Sequence, residues 1–466
     1  MSTPNRVVRG AVRAATGVVV VGAAATAVLL LSTFTAPSIE RTPPAVTVDT
    51  QQDSTQELVC VGSFAVLGAD PGRPEAAIPV GNPSLVIAGD AEITETLARA
   101  VEGGGEPSVI AAPAGEPFGA AQVQDVESGE TTRGVAASAC AAPLNEQWLL
   151  GGDTLEGVTT TLNLGNPGEV PATVQISTFD EDGRVEGAQS TAVLVPPGTQ
   201  QTVSLNGYAP NRARLAVKVE STGAPITASL NVVHALAIDP FAVATVTRQS
   251  EPATTLVVPG VANADRSTES GPNDVGDSDP FKVTVRVLAP GGQTGTAQVR
   301  ALSADGDSLD LGTIALVGDA VGQLEVANWP DSANAIVVDA DVPVIGGVFG
   351  SIDTDDQHDY AWFTPAPELA ADELVAAPVV GGGRLVIANL SDEEATVELI
   401  PTGDGESRSA RVPAGAAAVV PATSDGLLSS SVPVHAGVRY LDGGDIEGYP
   451  VLAPAVRDGT LTVYTR

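Results

Sequence analysis

Few residues in this chain are of types that do chemistry, and their spacing limits what that chemistry could be. The histidines are His234, His358 and His435. His234 falls in phase with Ile226, Ala228, Leu230 and Val232, which places it at the end of a buried strand face, while His435 lies between Val434 and Ala436 on a polar face. His358 sits in an acidic run. Three histidines on three separate stretches read as satisfied or solvated side chains rather than as a ligand set. Nucleophile machinery is missing. The lysines, Lys218 and Lys282, are preceded three positions earlier by Leu215 and Asp279, so there is no Ser-x-x-Lys, and neither follows a glycine as a phosphate-cradling lysine does. Neither a Gly-x-Ser-x-Gly elbow nor a His-Glu-x-x-His helix occurs. The motifs point away from an enzyme and imply no cofactor; a hydrolase using two of the 57 acidic residues is the alternative.

Two further sets of residues carry candidate roles. In Asp353-Thr354-Asp355-Asp356-Gln357-His358-Asp359, hard oxygen ligands at alternate positions could wrap Ca²⁺, with Asp353, Asp355 and Asp359 as the ligands. The glycine of a sharp calcium-binding turn and its distal glutamate are absent, so a solvated acidic loop is the favoured reading. The run Asp274-Val275-Gly276-Asp277-Ser278-Asp279 reads the same way. Trp148, Trp329 and Trp362 are the only tryptophans and the candidates for stacking on sugar rings; each also flanks an expected strand and could plug the end of a sandwich.

The N-terminus sets the compartment. Arg6, Arg9 and Arg13 precede an uncharged stretch from Ala14 to Ile39. About 20 such residues in a helix cover the roughly 30 Å hydrocarbon layer, and the positive charges before it place the N-terminus inside and the rest outside. The expectation is a single-pass membrane protein with a cytoplasmic stub (1–13), an anchor (14–39), a polar linker (40–57) and extracytoplasmic domains; a secreted protein with a cleaved signal peptide is the alternative. Cys60 and Cys140 both fall in the exported part, where an even count suggests a disulfide, two buried thiols being the alternative.

The elements that would position these residues are strands. Val158, Thr160, Leu162 and Leu164 share one face, with Thr159, Thr161 and Asn163 on the other, and Val174 and Ile176 alternate in the same manner. Such segments belong to antiparallel sheets with one wet face. Only Asp90 to Glu102 predicts a helix, with Ile93, Leu97 and Val101 in one stripe. Three markers recur in one order: an opening proline (Pro143, Pro259, Pro378), an Asp-Gly turn (Asp182-Gly183, Asp305-Gly306, Asp404-Gly405) and a strand begun by proline (Pro225, Pro343, Pro433). A spacing of this length suits sandwiches rather than solenoid coils. The expected fold is all-β: tandem immunoglobulin-like antiparallel β-sandwich domains after an N-terminal transmembrane helix. The units would be a divergent disulfide-bearing β domain at 58–141 and β-sandwich repeats at 142–253, 254–370 and 371–466, with a polar surface insertion between Ala262 and Asp279.

The formal net charge of −35 repels phosphate backbones, which excludes nucleic acid as a partner, and it keeps an exported protein soluble. Aromatic residues amount to 3%, thin for stacking on bases or sugars. The anchor, Cys60, Cys140 followed by Pro143 and Trp148, Asn166-Pro167, and Val195-Pro196-Pro197-Gly198 together resemble an actinobacterial family of exported proteins of unknown function, described only as large secreted proteins. The chain departs from it at Cys60-Val61-Gly62, where a proline beside the cysteine is expected. The resemblance implies an envelope location and β-rich domains and brings no catalytic residues. The expected function is that of a structural or interaction protein of the cell envelope with an envelope protein or glycan as partner; the alternative is a glycan-binding accessory to cell-wall or surface-polysaccharide assembly.

Overall fold

Alternating β-branched residues closed by glycine turns give strands throughout. The computed structural model describes residues 55–453 apart from 69, 71, 74–75, 102, 114, 130–131, 186–191, 237–238, 266–280, 355–356, 403–404 and 423, together with 19, 22, 23, 26, 45–49 and 460–464. The anchor expected over 14–39 lies outside these save for Val19, Gly22, Ala23 and Thr26. Among the described residues no helix is long and apolar enough to cross a membrane. The chain divides into two compact units, 1–52 with 457–466, and 53–456. In the smaller one, Ala45–Asp49, within the stretch read as a spacer, pairs antiparallel with Thr460–Tyr464.

The larger unit holds four layered modules, three built from a pair of sheets and the other, third in chain order, from one eight-stranded sheet folded on itself, with a two-stranded sheet beside them. In the second pair, one sheet runs Glu146–Leu150, Ala216–Thr222, Ala172–Asp180, Gly183–Arg184, and the facing sheet runs Asp239–Val246, Thr227–Leu236, Val158–Asn166, Thr199–Ser204. Leu149, Val174 and Val217 from the first meet Leu162, Leu164 and Leu230 from the second in one buried core. The fourth pair repeats this order: Val375–Pro378, Asp425–Ser430, Ala395–Pro401, Arg408–Val412 face Asp445–Pro450, Val434–Asp442, Gly383–Ala388, Ala417–Val420. The third pair repeats it with one change. Ala333–Asp353 is a single strand of 21 residues that serves both sheets, pairing with Gly295–Ser303 through its first half and with Thr284–Leu288 through its second. Pro343, expected to begin a strand, lies instead inside this one, between those two stretches of pairing; a residue without an N–H is tolerated where the ladder is interrupted. The first pair is a shortened version, Gln56–Cys60, Ser108–Ala112, Glu92–Thr96 against Thr132–Ala139, Gly119–Ser128, Ser84–Ala88. It is stapled by the Cys60–Cys140 disulfide.

The Asp-Gly markers fall where hairpins turn. Gly183 and Gly306 hold φ of 125° and 88°, a region open to glycine, between Ala172–Asp180 and Gly183–Arg184 and between Gly295–Ser303 and Ser308–Leu316. Asp404 lies outside the described residues, as does the acidic run 274–279 with most of its insertion.

Two expectations are corrected. The stretch Asp90 to Glu102 is not helical: Glu92–Thr96 and Ala98–Arg99 are strands. Ile93 is 51% exposed whereas Leu97 is fully buried against Val59 and Val109, so the stripe does not share a face. Ile93, Thr94 and Thr96 are β-branched, and pairing with Ser108–Ala112 settles their conformation. The wet face expected for Val158–Asn166 is reduced to the half-exposed Thr159. Thr161, Asn163, Asn231 and Thr245 are at most 3% exposed. In the same sheet Val243 packs with Val126 and Ala136 of the first pair and with Phe64 and Val66 of a separate hairpin, Phe64–Leu67 with Ala77–Val80, so most of this face is covered too.

Candidate functional site

Each sheet pair ends in an edge strand, and these four closing strands meet. They are Thr132–Ala139, Asp239–Val246, His358–Phe363 and Asp445–Pro450. Each packs against the next, and the fourth returns to the first, so the four pairs form a closed ring. Close approach requires small residues. A Cβ at Gly134 would lie 2.7 Å from Val243 Cγ2, one at Gly347 would lie 2.5 Å from the Leu150 carbonyl, and one at Gly448 would run into the Phe363 ring.

Polar side chains stitch the junctions. Arg286, from Thr284–Leu288 of the third pair, reaches into the second: Nη1 donates to Gly152 O (2.7 Å), Nη2 to Ala213 O (2.9 Å), and Nε to Gln323 Oε1 (3.1 Å). Its guanidinium lies 4.5 Å from the centre of the Trp362 ring. Gln249 Nε2 donates to Gly346 O (2.6 Å) while its Oε1 accepts from Gly346 N–H (3.1 Å).

Two carboxyl groups are sealed in the ring. Glu447 Oε1 accepts from Thr245 N–H (2.7 Å) and its Oε2 from Gly448 N–H (3.0 Å). Asp359 Oδ2 accepts from Ile446 N–H (3.2 Å), and its Oδ1 has no partner. Both residues are 0% exposed, and burial raises both carboxyl groups well above the usual range; for Asp359 the nearby Asp445 charge, and for Glu447 that of Asp359, act the same way. A carboxyl held high when folded binds a proton that the unfolded chain releases near pH 4. Its contribution to stability is therefore complete below about pH 4 and is lost as pH rises toward the folded value. Asp359→Asn keeps an acceptor for Ile446 and removes the charge. It is expected to raise the melting temperature by a few degrees at pH 8, about 1–3 kcal/mol, and to match the parent near pH 4. Thermal melts across that range check it, and an equal loss at both pH values contradicts it.

The segments that leave the closing strands border a cleft of about 970 Å³, lined by Leu144, Arg248 to Glu251, Pro365 to Glu368, Leu452 and Ala453, with Leu390, Ser391 and His435 among its other walls. Arg248 is the notable member. It is 9% exposed, and its Nε is buried without a partner. No hydrogen bond or ion pair of its side chain is found among the described residues, and burial pushes its pKa down to about 10. Glu251 and Glu368 are exposed. His435 Nδ1 lies 3.0 Å from Ala366 O, and burial lowers its pKa. Ser391, His435 and Glu368 are the residue types of a hydrolytic triad, but the geometry is different. The Ser391 hydroxyl lies 2.7 Å from Asn389 Oδ1 and 2.9 Å from Glu393 O, and His435 faces a carbonyl rather than a carboxylate.

The sequence candidates fall elsewhere. Trp148 and Trp362 are 4% and 3% exposed. Trp148 packs on Phe179 with Lys218 over its ring, and Trp362 lies between Phe349 and Arg286, so neither has a face free for a sugar. Trp329 is half-buried against the core of the third pair. Of the proposed Ca²⁺ ligands, Asp353 ends the long strand, Asp355 lies outside the described residues, and Asp359 is the carboxyl sealed in the ring rather than part of a solvated loop. Among the described residues no cluster of three acidic, histidine or cysteine side chains is placed to hold a metal. His358 begins a strand, its ring stacked on Phe241 (3.9 Å) and beside Phe281 (4.1 Å), and burial drives its pKa down to about 4. His234 packs on the same Phe241 (4.6 Å), so two histidines from separate stretches share one aromatic cluster.

Sequence reasoning missed Arg248, Gln249, Arg286 and Glu447. Arg286 and Glu447 occupy polar phases of alternating strands, which period alone assigns to solvent. The available signal was the run Thr247-Arg248-Gln249 directly after the apolar Phe241 to Val246, a charge where a strand leaves its core. A family model described as a family of unknown function, DUF5719, matches residues 97–423. No curated protein and no solved structure matches the chain.

Proposed function

The chain therefore belongs to that family of unknown function, and we propose that it is a binding protein, not an enzyme, held outside the cell by the segment 14–39. Its sheet pairs act as immunoglobulin-like sandwiches of the cell envelope, locked into a ring so that the cleft at the ends of the closing strands keeps one shape. The observation that carries this reading is the cleft itself, bordered by chain from the second, third and fourth sheet pairs and containing a buried arginine whose Nε has no partner. A pocket of this size built on rigid elements is pre-organised for a ligand. The disulfide and the uncharged run after three arginines support the outside location. The test is photo-crosslinking on intact cells with a membrane-impermeant reagent coupled at position 251 or 391, and at 309 or 419 as controls. The cleft positions are expected to label and to give a discrete adduct that the controls do not. Absence of labelling overturns the location, and identical adducts from all four positions overturn the cleft as the binding face.

A further inference from the structure

We infer that the cleft takes a carboxylate carried on an apolar body, with the Arg248 guanidinium as its counter-ion. This rests on the cleft being the binding face proposed above and names the chemistry of what it binds. The first argument is the cost of leaving a charge in this position. A guanidinium removed from water without partners is strongly destabilising. Arg286 avoids that cost by donating to Gly152 O, Ala213 O and Gln323, and Arg99 by donating to Gln200 and the carbonyls of Val61 and Ser63. Arg212 and Arg439 also carry a buried unpartnered Nε, but each keeps a partner through Nη1, Asp180 and Asn334 respectively. Arg248 has no such set, and its side chain lines an open volume of about 970 Å³.

The second argument is complementarity. A planar fork of N–H donors matches the two oxygens of a carboxylate. Leu144, Leu256, Leu390 and Leu452 line the same space, which suits an apolar group attached to that carboxylate. Glu251 and Glu368, also in its lining, and the overall charge of −35 disfavour a dianion such as a phosphate monoester relative to a monoanion. The opposed pull of one buried cation and exposed carboxylates selects for a single negative charge.

The experiment uses the full chain in lipid nanodiscs and titrates benzoate, phenyl phosphate and benzyl alcohol by calorimetry. Benzoate is expected to bind saturably and at least tenfold more tightly than either of the others. Arg248→Gln is expected to lose at least tenfold. Because that variant alters a buried site, Leu390→Trp, which fills the apolar wall and leaves Arg248 in place, is expected to show the same loss. No saturable heat with benzoate, equal affinity for benzyl alcohol, unchanged binding by both variants, or a preference for phenyl phosphate each overturns the inference. If position 251 or 391 crosslinks on cells while benzoate fails to bind, the ligand class is wrong and the binding face stands; if both fail, both fall.

Discussion

Replacing Cys60 and Cys140 together by serine is expected to lower the stability of the folded chain by about 4–5 kcal/mol, the largest loss of any pair of substitutions considered. The two residues are 80 apart in sequence, so the bridge removes a long loop from the unfolded ensemble. The core around the bridge is small: Ile110, Ala112, Phe118 and Ala120 with the two cysteines, and Leu58, Leu85 and Ile87 half-buried against them. The bridge joins the end of Gln56–Cys60 to the residue after Thr132–Ala139, tying the opening strand of the pair to its closing strand. Urea denaturation of the parent with and without reductant measures the effect. The reduced parent and the double variant are expected to share a lowered midpoint, and a midpoint unmoved by reductant contradicts the prediction.

The second large effect is expected at Arg286. Arg286→Met keeps much of the side-chain volume but leaves the carbonyls of Gly152 and Ala213 buried without their donors. Each such group costs about 1–3 kcal/mol, so a loss of about 3 kcal/mol is expected. Arg286→Lys is expected to recover less than half of it, since an ammonium cannot present a planar fork to two carbonyls and to Gln323 at once. Because the bonds cross from the third sheet pair to the second, the loss is expected to appear with faster proteolysis between residues 247 and 256, where the chain passes from one to the other. A loss below 1 kcal/mol for the methionine variant, or full recovery by lysine, contradicts this account.

Local sequence rules were enough for the strands and not for what lies against them. The alternation in Val158–Asn166 put Leu162 and Leu164 in the core, where they are. It also put Thr161 and Asn163 in water, where they are not, because period 2 reports two faces and is silent on whether a neighbour covers the second. The same silence hid Arg286 and Glu447. At Asp90 to Glu102 the spacing of Ile93, Leu97 and Val101 fitted a helix, but so short a stretch takes its conformation from its partner strand. The disulfide was legible because compartment and count pointed the same way. Site residues were harder. Residue type drew attention to tryptophans and histidines, most of which pack into cores, whereas the unusual property of Arg248 is the lack of a partner, which only three-dimensional neighbours reveal.

A row of four modules has three junctions; a circuit of four has four. Shortening a row by its last member forfeits one junction and leaves the remainder intact, which is how bead-like surface proteins gain and lose modules. Here the member that ends with Asp445–Pro450 touches both the third and the first, so its removal strips two junctions and bares the carboxyl of Asp359 at the breach. Removing any one member of the unit 53–456 is therefore expected to destabilise the remaining three. Length in this chain behaves as an all-or-none quantity, and unfolding is expected to proceed as one event rather than as a sequence of separable steps.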